Sequence, residues 1–132
     1  SFRTRNAGRV SKQLLARGEE LVTDGDPQKN IPACQSCHGE RLTGVQPNTP
    51  GLVGLPRHYL SSQLGAWQAG TRQAAAPDCM RKIAERLDST DIQAIASWLE
   101  SRPVPENPLP ATEPPPDPPM DCGSVDLPGA PR

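Results

Sequence analysis

The chain has 132 residues, enough for one domain, but only 34% are apolar and 3% aromatic, the latter being Phe2, Tyr59, Trp67 and Trp98. A core this poor is marginal at this length. The net charge of −1 gives no basic excess to hold nucleic acid, and no stretch is apolar enough to span a membrane.

The first expected element is a helix over residues 8–23. Val10, Leu14, Gly18, Leu21 and Val22 recur there at three- and four-residue spacing, and Asp24-Gly25-Asp26-Pro27 stops it. Next comes Cys34-Gln35-Ser36-Cys37-His38, expected as a short helical turn. C-x-x-C-H is the attachment signal for c-type haem: two thiols form thioethers, and the adjacent histidine is held beneath the iron. A structural zinc site needs four ligands, whereas Cys79 and Cys122 are isolated; a thioredoxin-like motif needs a βαβ setting that is missing here. A covalent porphyrin would also supply the apolar centre that the composition lacks.

Residues 39–56 hold four glycines and three prolines and read as loop. A helix is expected over 57–69, with Leu60, Leu64 and Trp67 on one face and Gly70 ending it. Ala74-Ala75-Ala76-Pro77 is a connector. A short helix over 80–86 turns Ile83 and Leu87 inward. Asp88 is a good N-cap for the last helix, Asp91 complements its positive end, and Ile92, Ile95, Ala96 and Leu99 form its inward stripe. Trp98 is expected against the first helix, where Gly18 allows close approach.

After Pro103 the composition changes. Prolines 103, 105, 108, 110, 114, 115, 116, 118, 119, 128 and 131 exclude helix and central strand, so residues 103–132 are expected as an extended tail, partly polyproline II, behind a domain of residues 1–102. With no alternating apolar run, the fold class is all-α. Charge is uneven: residues 1–17 carry Arg3, Arg5, Arg9, Lys12 and Arg17 and no acid, while the tail is acidic. The two ends are free to attract each other or to face different partners.

With His38 on one side of the iron, four options compete for the other: Met80, Met120, His58 and an open site. Met80 is preferred. It lies 42 residues after His38, just before the last helices, whereas Met120 lies in the proline tail. A thioether ligand raises the reduction potential and saturates the iron. Pro50 is a candidate carbonyl partner for the other ring nitrogen of His38. Trp67 and Arg72 are candidates for the porphyrin propionates, with core packing and a solvated charge as their plainer alternatives.

At this point the chain resembles the class I c-type cytochromes, within them the cytochrome c4-like group, over about residues 14–100. The resemblance is carried by Gly25-Asp26-Pro27, Ile31-Pro32-Ala33-Cys34-Gln35-Ser36-Cys37-His38-Gly39 and Pro50-Gly51-Leu52-Val53-Gly54-Leu55. It continues through Arg57-His58-Tyr59-Leu60 to Thr71-Arg72, and from Met80 to Leu99. The resemblance implies an all-α class I cytochrome c fold around one covalent haem c, with crossed first and last helices and His38/Met80 ligation. It places Pro50, Leu52, Leu64, Trp67 and Arg72 in the haem environment. It also implies outer-sphere electron transfer, not enzyme catalysis, between redox proteins such as a donor dehydrogenase and an acceptor oxidase or cytochrome.

The chain departs from that group in three ways: it carries one C-x-x-C-H, Cys79 precedes Met80, and Cys122 lies in the long tail. Covalent haem attachment is generally done outside the cytoplasm, so an exported, periplasmic protein is expected, with its leader outside these residues. Such a compartment permits a Cys79–Cys122 disulfide, which would pin the tail back over the methionine side. The competing function is a haem enzyme or gas sensor with a displaceable Met80, for which His58 and Cys79 are the candidate acid–base groups.

Overall fold

The computed structural model describes residues 11–123. These form α1 (Lys12–Thr23), α2 (Gln35–His38), α3 (Arg57–Ala69), α4 (Cys79–Arg86) and α5 (Ser89–Glu100), with a 3-10 turn at Pro27–Lys29. Among the described residues there is no strand, only isolated bridges. The expected start of the first helix at residues 8–10, the arginines at 3, 5 and 9, and the tail end with its prolines at 128 and 131 lie outside the described residues.

The helices α1, α4 and α5 begin where a side chain satisfies their free N–H groups. Ser11 accepts from Leu14 N–H at the head of α1, Asp78 from Arg81 N–H at α4, and Asp88 from Asp91 N–H at α5, where the Asp91 carboxylate returns the bond to Asp88 N–H. The core then forms where α1 crosses α5. A Cβ on Gly18 would lie 2.7 Å from both the Ala94 carbonyl carbon and the Trp98 Cβ, so only glycine lets the two helices approach this closely. Leu21, Val22 and Leu99 are fully buried at this crossing. The helix α3 packs on α5, and α4 packs on α3. The far end of α4 is tied down by Gln68, whose amide donates to the carbonyls of Ala84 (2.9 Å) and Leu87 (2.8 Å).

A charged cluster holds the 3-10 turn to this crossing. The Asp91 carboxylate, 4% exposed, receives Arg17 Nε at 3.0 Å and Lys29 Nζ at 2.6 Å; Arg17 also reaches Asp26 at 2.8 Å, and Lys29 reaches Asp88 at 3.1 Å. Burial favours the neutral acid of Asp91, but Lys29, the Asp88 N–H and Arg17 together hold the carboxyl below the usual range. A fully buried pair broken on one side loses about 3–5 kcal/mol, and Arg17 and Lys29 here retain enough solvent access to rehydrate, so we expect Asp91→Asn to cost about 2 kcal/mol at neutral pH. The sign of the pH dependence follows. A carboxyl with a depressed folded pKa stabilises the fold above its unfolded pKa, and that stability is lost as pH falls through the folded value. The gap between wild type and variant should therefore close below about pH 4, as seen in denaturant titrations across pH. A constant gap down to pH 2 would exclude this assignment.

The segment after α5 is extended and docked. Arg41 donates to the Asn107 carbonyl at 3.1 Å. Ala111 N–H donates to Gly44 (2.9 Å) and its carbonyl accepts from Gln46 N–H (2.8 Å), a parallel bridge at Val45. Gly123 N–H donates to the Pro77 carbonyl at 3.0 Å, and Cys122 is disulfide-bonded to Cys79 with Cα atoms 5.5 Å apart. A cross-link over a sequence separation of 43 residues contributes about 4 kcal/mol in the chain-entropy model.

Candidate functional site

The chain reaches α2 from the 3-10 turn. Asp26 and Ile31 pair across that turn, Ile31 is buried, and Pro32-Ala33 leads into Cys34. Cys37 N–H and His38 N–H both donate to the Cys34 carbonyl, at 3.2 and 2.9 Å. This single turn puts residues i, i+3 and i+4 on one side, so Cys34, Cys37 and His38 share a face. Neither thiol of this pair is in a disulfide. Burial pushes the Cys34 thiol up to about 12 and raises that of Cys37.

The 39–51 loop folds back over His38. Gly44 N–H donates to the His38 carbonyl at 3.0 Å, Val45 and Thr49 exchange two bonds, and Leu52 N–H donates to Leu42 at 2.8 Å. Gly44 has φ +89°, and a Cβ there would lie 2.6 Å from Gly51 N and 2.7 Å from the Pro50 carbonyl carbon, so a side chain would force this return open. The outcome is a 2.8 Å contact between His38 Nδ1 and the Pro50 oxygen. A carbonyl only accepts, so Nδ1 carries the proton and Nε2 carries the free lone pair. Burial of His38 lowers its pKa, with the Pro50 bond opposing, and the ring stays neutral. Nε2 makes no hydrogen bond among the described residues, where no fully buried side-chain nitrogen or oxygen lacks a partner; Nε2 is therefore not fully enclosed by protein.

Leu52, Val53, Leu55, Leu64 and Ile83 pack against the core yet stay only partly buried. Two free thiols and a ring nitrogen with its proton fixed on the far side form the donor set that a covalent haem takes.

The other sequence candidates stand on α3 and α4. Trp67 is buried on α3, and the Arg72 guanidinium lies 5.4 Å from the centre of its ring while also reaching Gln63. His58 is exposed near the start of α3. Met80 is half-buried in the first turn of α4, which begins one residue earlier than expected because the Asp78 cap starts the helix at Cys79. Met120 lies elsewhere, in a cleft of about 260 Å³ among Asp24, Pro27, Ile31, Pro32 and Arg86. The sequence reading missed the Arg17–Asp91–Lys29 cluster and the anchoring of Ala111. The first had a visible trace, an acid at N3 of α5; the second had none, because one bridge needs no pattern.

Comparison with known proteins gives a consistent grouping. The family model described as Cytochrome c matches residues 15–103. A thiosulfate dehydrogenase electron acceptor from Thiomonas intermedia is 40% identical over 89 residues, covering 67% of this chain and 41% of that protein. Cytochrome c4 from Pseudomonas aeruginosa is 32% identical over 97 residues, covering 72% of this chain and 48% of that protein. Among solved structures, thiosulfate dehydrogenase (TsdBA) from Marichromatium purpuratum superimposes with a TM-score of 0.65 at 34% identity, over 75% of this chain and 22% of that one. The chain thus spans less than half the length of these relatives.

Proposed function

The chain belongs to the cytochrome c family over residues 15–103, and from that premise we propose that it is a single-haem electron-transfer protein, working as a carrier or as the electron-transfer unit of a larger redox assembly. One observation carries the reading: two free cysteines and a neutral histidine share one helical turn, with the histidine proton held by the Pro50 carbonyl. The family implies a covalent haem c, and this chain has one C-x-x-C-H to hold it.

The haem supplies a one-electron iron couple; no substrate bond is made or broken. Cys34 and Cys37 would hold the group by thioethers. His38 would offer Nε2 to the iron, with the Pro50 carbonyl fixing the ring's orientation and raising its basicity. Met80 would supply the second protein ligand to the iron, a thioether that favours the ferrous state relative to two-histidine ligation. Leu52 and Leu64 would help shield the group from water, and Arg72, braced on Trp67, would balance propionate charge. Partners are other redox proteins, meeting an exposed haem edge through a small transient interface. The names of the similar proteins point to a thiosulfate-oxidising dehydrogenase as one class of donor. An exported, periplasmic setting fits both the covalent haem and the Cys79–Cys122 bond.

The test is carbon monoxide binding to the dithionite-reduced wild-type protein, paired with stopped-flow oxidation by an inorganic outer-sphere oxidant. A spectrum unchanged by carbon monoxide, together with fast oxidation, supports a carrier. Ready carbon monoxide binding would instead favour a haem enzyme or gas sensor with a displaceable Met80.

A further inference from the structure

The two ends of α4 are secured by different parts of the chain. Its C-terminal end is tied to α3 through Gln68. Its first turn, which carries Met80, is held by Asp78 and by the docked segment after α5: Cys122 is bonded to Cys79, Gly123 N–H donates to Pro77, and the Asp121 carbonyl lies 3.2 Å from Cys79 Sγ. The preceding residues 71–77 are largely exposed and reach that turn through Ala74 N–H, which donates to the Asp78 carboxylate at 2.9 Å, so most of its remaining anchorage comes from the docked segment. An eight-residue helix is too short to be stable alone and frays from its ends. The same strap is anchored at Ala111 to Gly44 and Gln46, in the loop that presents the Pro50 carbonyl to His38. One extended segment thus connects the loop behind His38 to the helix bearing Met80.

We propose that the 103–123 strap is a positioning device for the sixth ligand, with Cys122 as its positioning residue: it keeps the first turn of α4 closed and so keeps Met80 on the iron against competing ligands. The proposal rests on the His38/Met80 reading above. An external ligand binds only to the fraction of molecules in which Met80 has left, so its apparent Kd scales inversely with that fraction.

The experiment titrates imidazole into the ferric, haem-loaded protein, wild type and Cys122→Ser, at a temperature where both are folded by circular dichroism. The near-infrared methionine-to-iron band is recorded throughout. The expected result is a band in both proteins without imidazole and an apparent Kd lower by about tenfold or more in the variant. Equal affinity with the band present in both overturns the strap proposal and leaves the ligation reading standing. A wild type without the band overturns the ligation reading itself. Should Cys122→Ser fail to fold, Cys79→Val/Cys122→Ala, which keeps an apolar side chain at the buried position, is read in the same way. If that variant also fails to fold with haem, the strap is required for folding instead of ligand positioning, and the proposal fails.

Discussion

Replacing both haem-attaching thiols, Cys34→Ala/Cys37→Ala, is expected to leave a polypeptide with no covalent haem and most of its helical signal lost. The first half follows from the chemistry, since no other described cysteine is free to form a thioether. The second follows from packing. Among the described residues, Leu21, Leu99 and Val22 are the largest side chains that are fully buried, and Leu52, Val53, Leu55, Leu64 and Ile83 stay only partly buried against the core. Completing the burial of five such residues is worth roughly 1 kcal/mol each, about half of what a full side-chain burial gives. The sum, roughly 5 kcal/mol, is comparable to the entire stability of a small domain. The Cys79–Cys122 bond and the Asp91 cluster remain, so residual structure should persist around the α1–α5 crossing. Denaturing gels stained for haem and far-ultraviolet circular dichroism read the two halves. Wild-type helicity in the haem-free variant would show that the protein core is sufficient by itself.

Met80→Ala should have the second largest effect, on function instead of folding. Met80 is half-buried in the first turn of an eight-residue helix, so its removal leaves only a modest packing defect. Loss of a thioether ligand removes the preference for ferrous iron. The near-infrared band should vanish, the reduced protein should bind carbon monoxide, and the potential should fall by roughly 0.1 V or more, where each 59 mV is a tenfold change in the ferric/ferrous ratio. Met120→Ala is the companion variant. Met120 sits in a cleft beside Pro27 and Ile31, and its loss should leave band and potential unchanged. If the band instead survives Met80→Ala and is lost in Met120→Ala, the ligand assignment must be exchanged.

The sequence itself determined the features that are local in origin. C-x-x-C-H specifies its chemistry through spacing alone, because one helical turn is enough to put i, i+3 and i+4 together. Helix boundaries were legible to within about a residue at Gly70 and Asp88, since caps act over three or four residues; the Met80 helix started one residue early because Asp78 was not read as its cap. The Gly18–Trp98 approach was readable as a small residue opposite a large one. Most other contacts between distant residues were decided only by the tertiary structure. Arg17, in a run of terminal basic charge, pairs with Asp26 and Asp91 and not with the acidic tail, because the α1–α5 crossing brings those carboxylates beside it. The proline-rich segment was expected to be extended, and proline does fix that; where it runs depends on single backbone bonds at Ala111 and Gly123 and on one disulfide. Such contacts leave no periodicity in a sequence. They depend on which surfaces meet once the helices have packed; for Met80's helix the cysteine pair was readable beforehand, whereas the backbone bond at Gly123 that completes the anchoring was not.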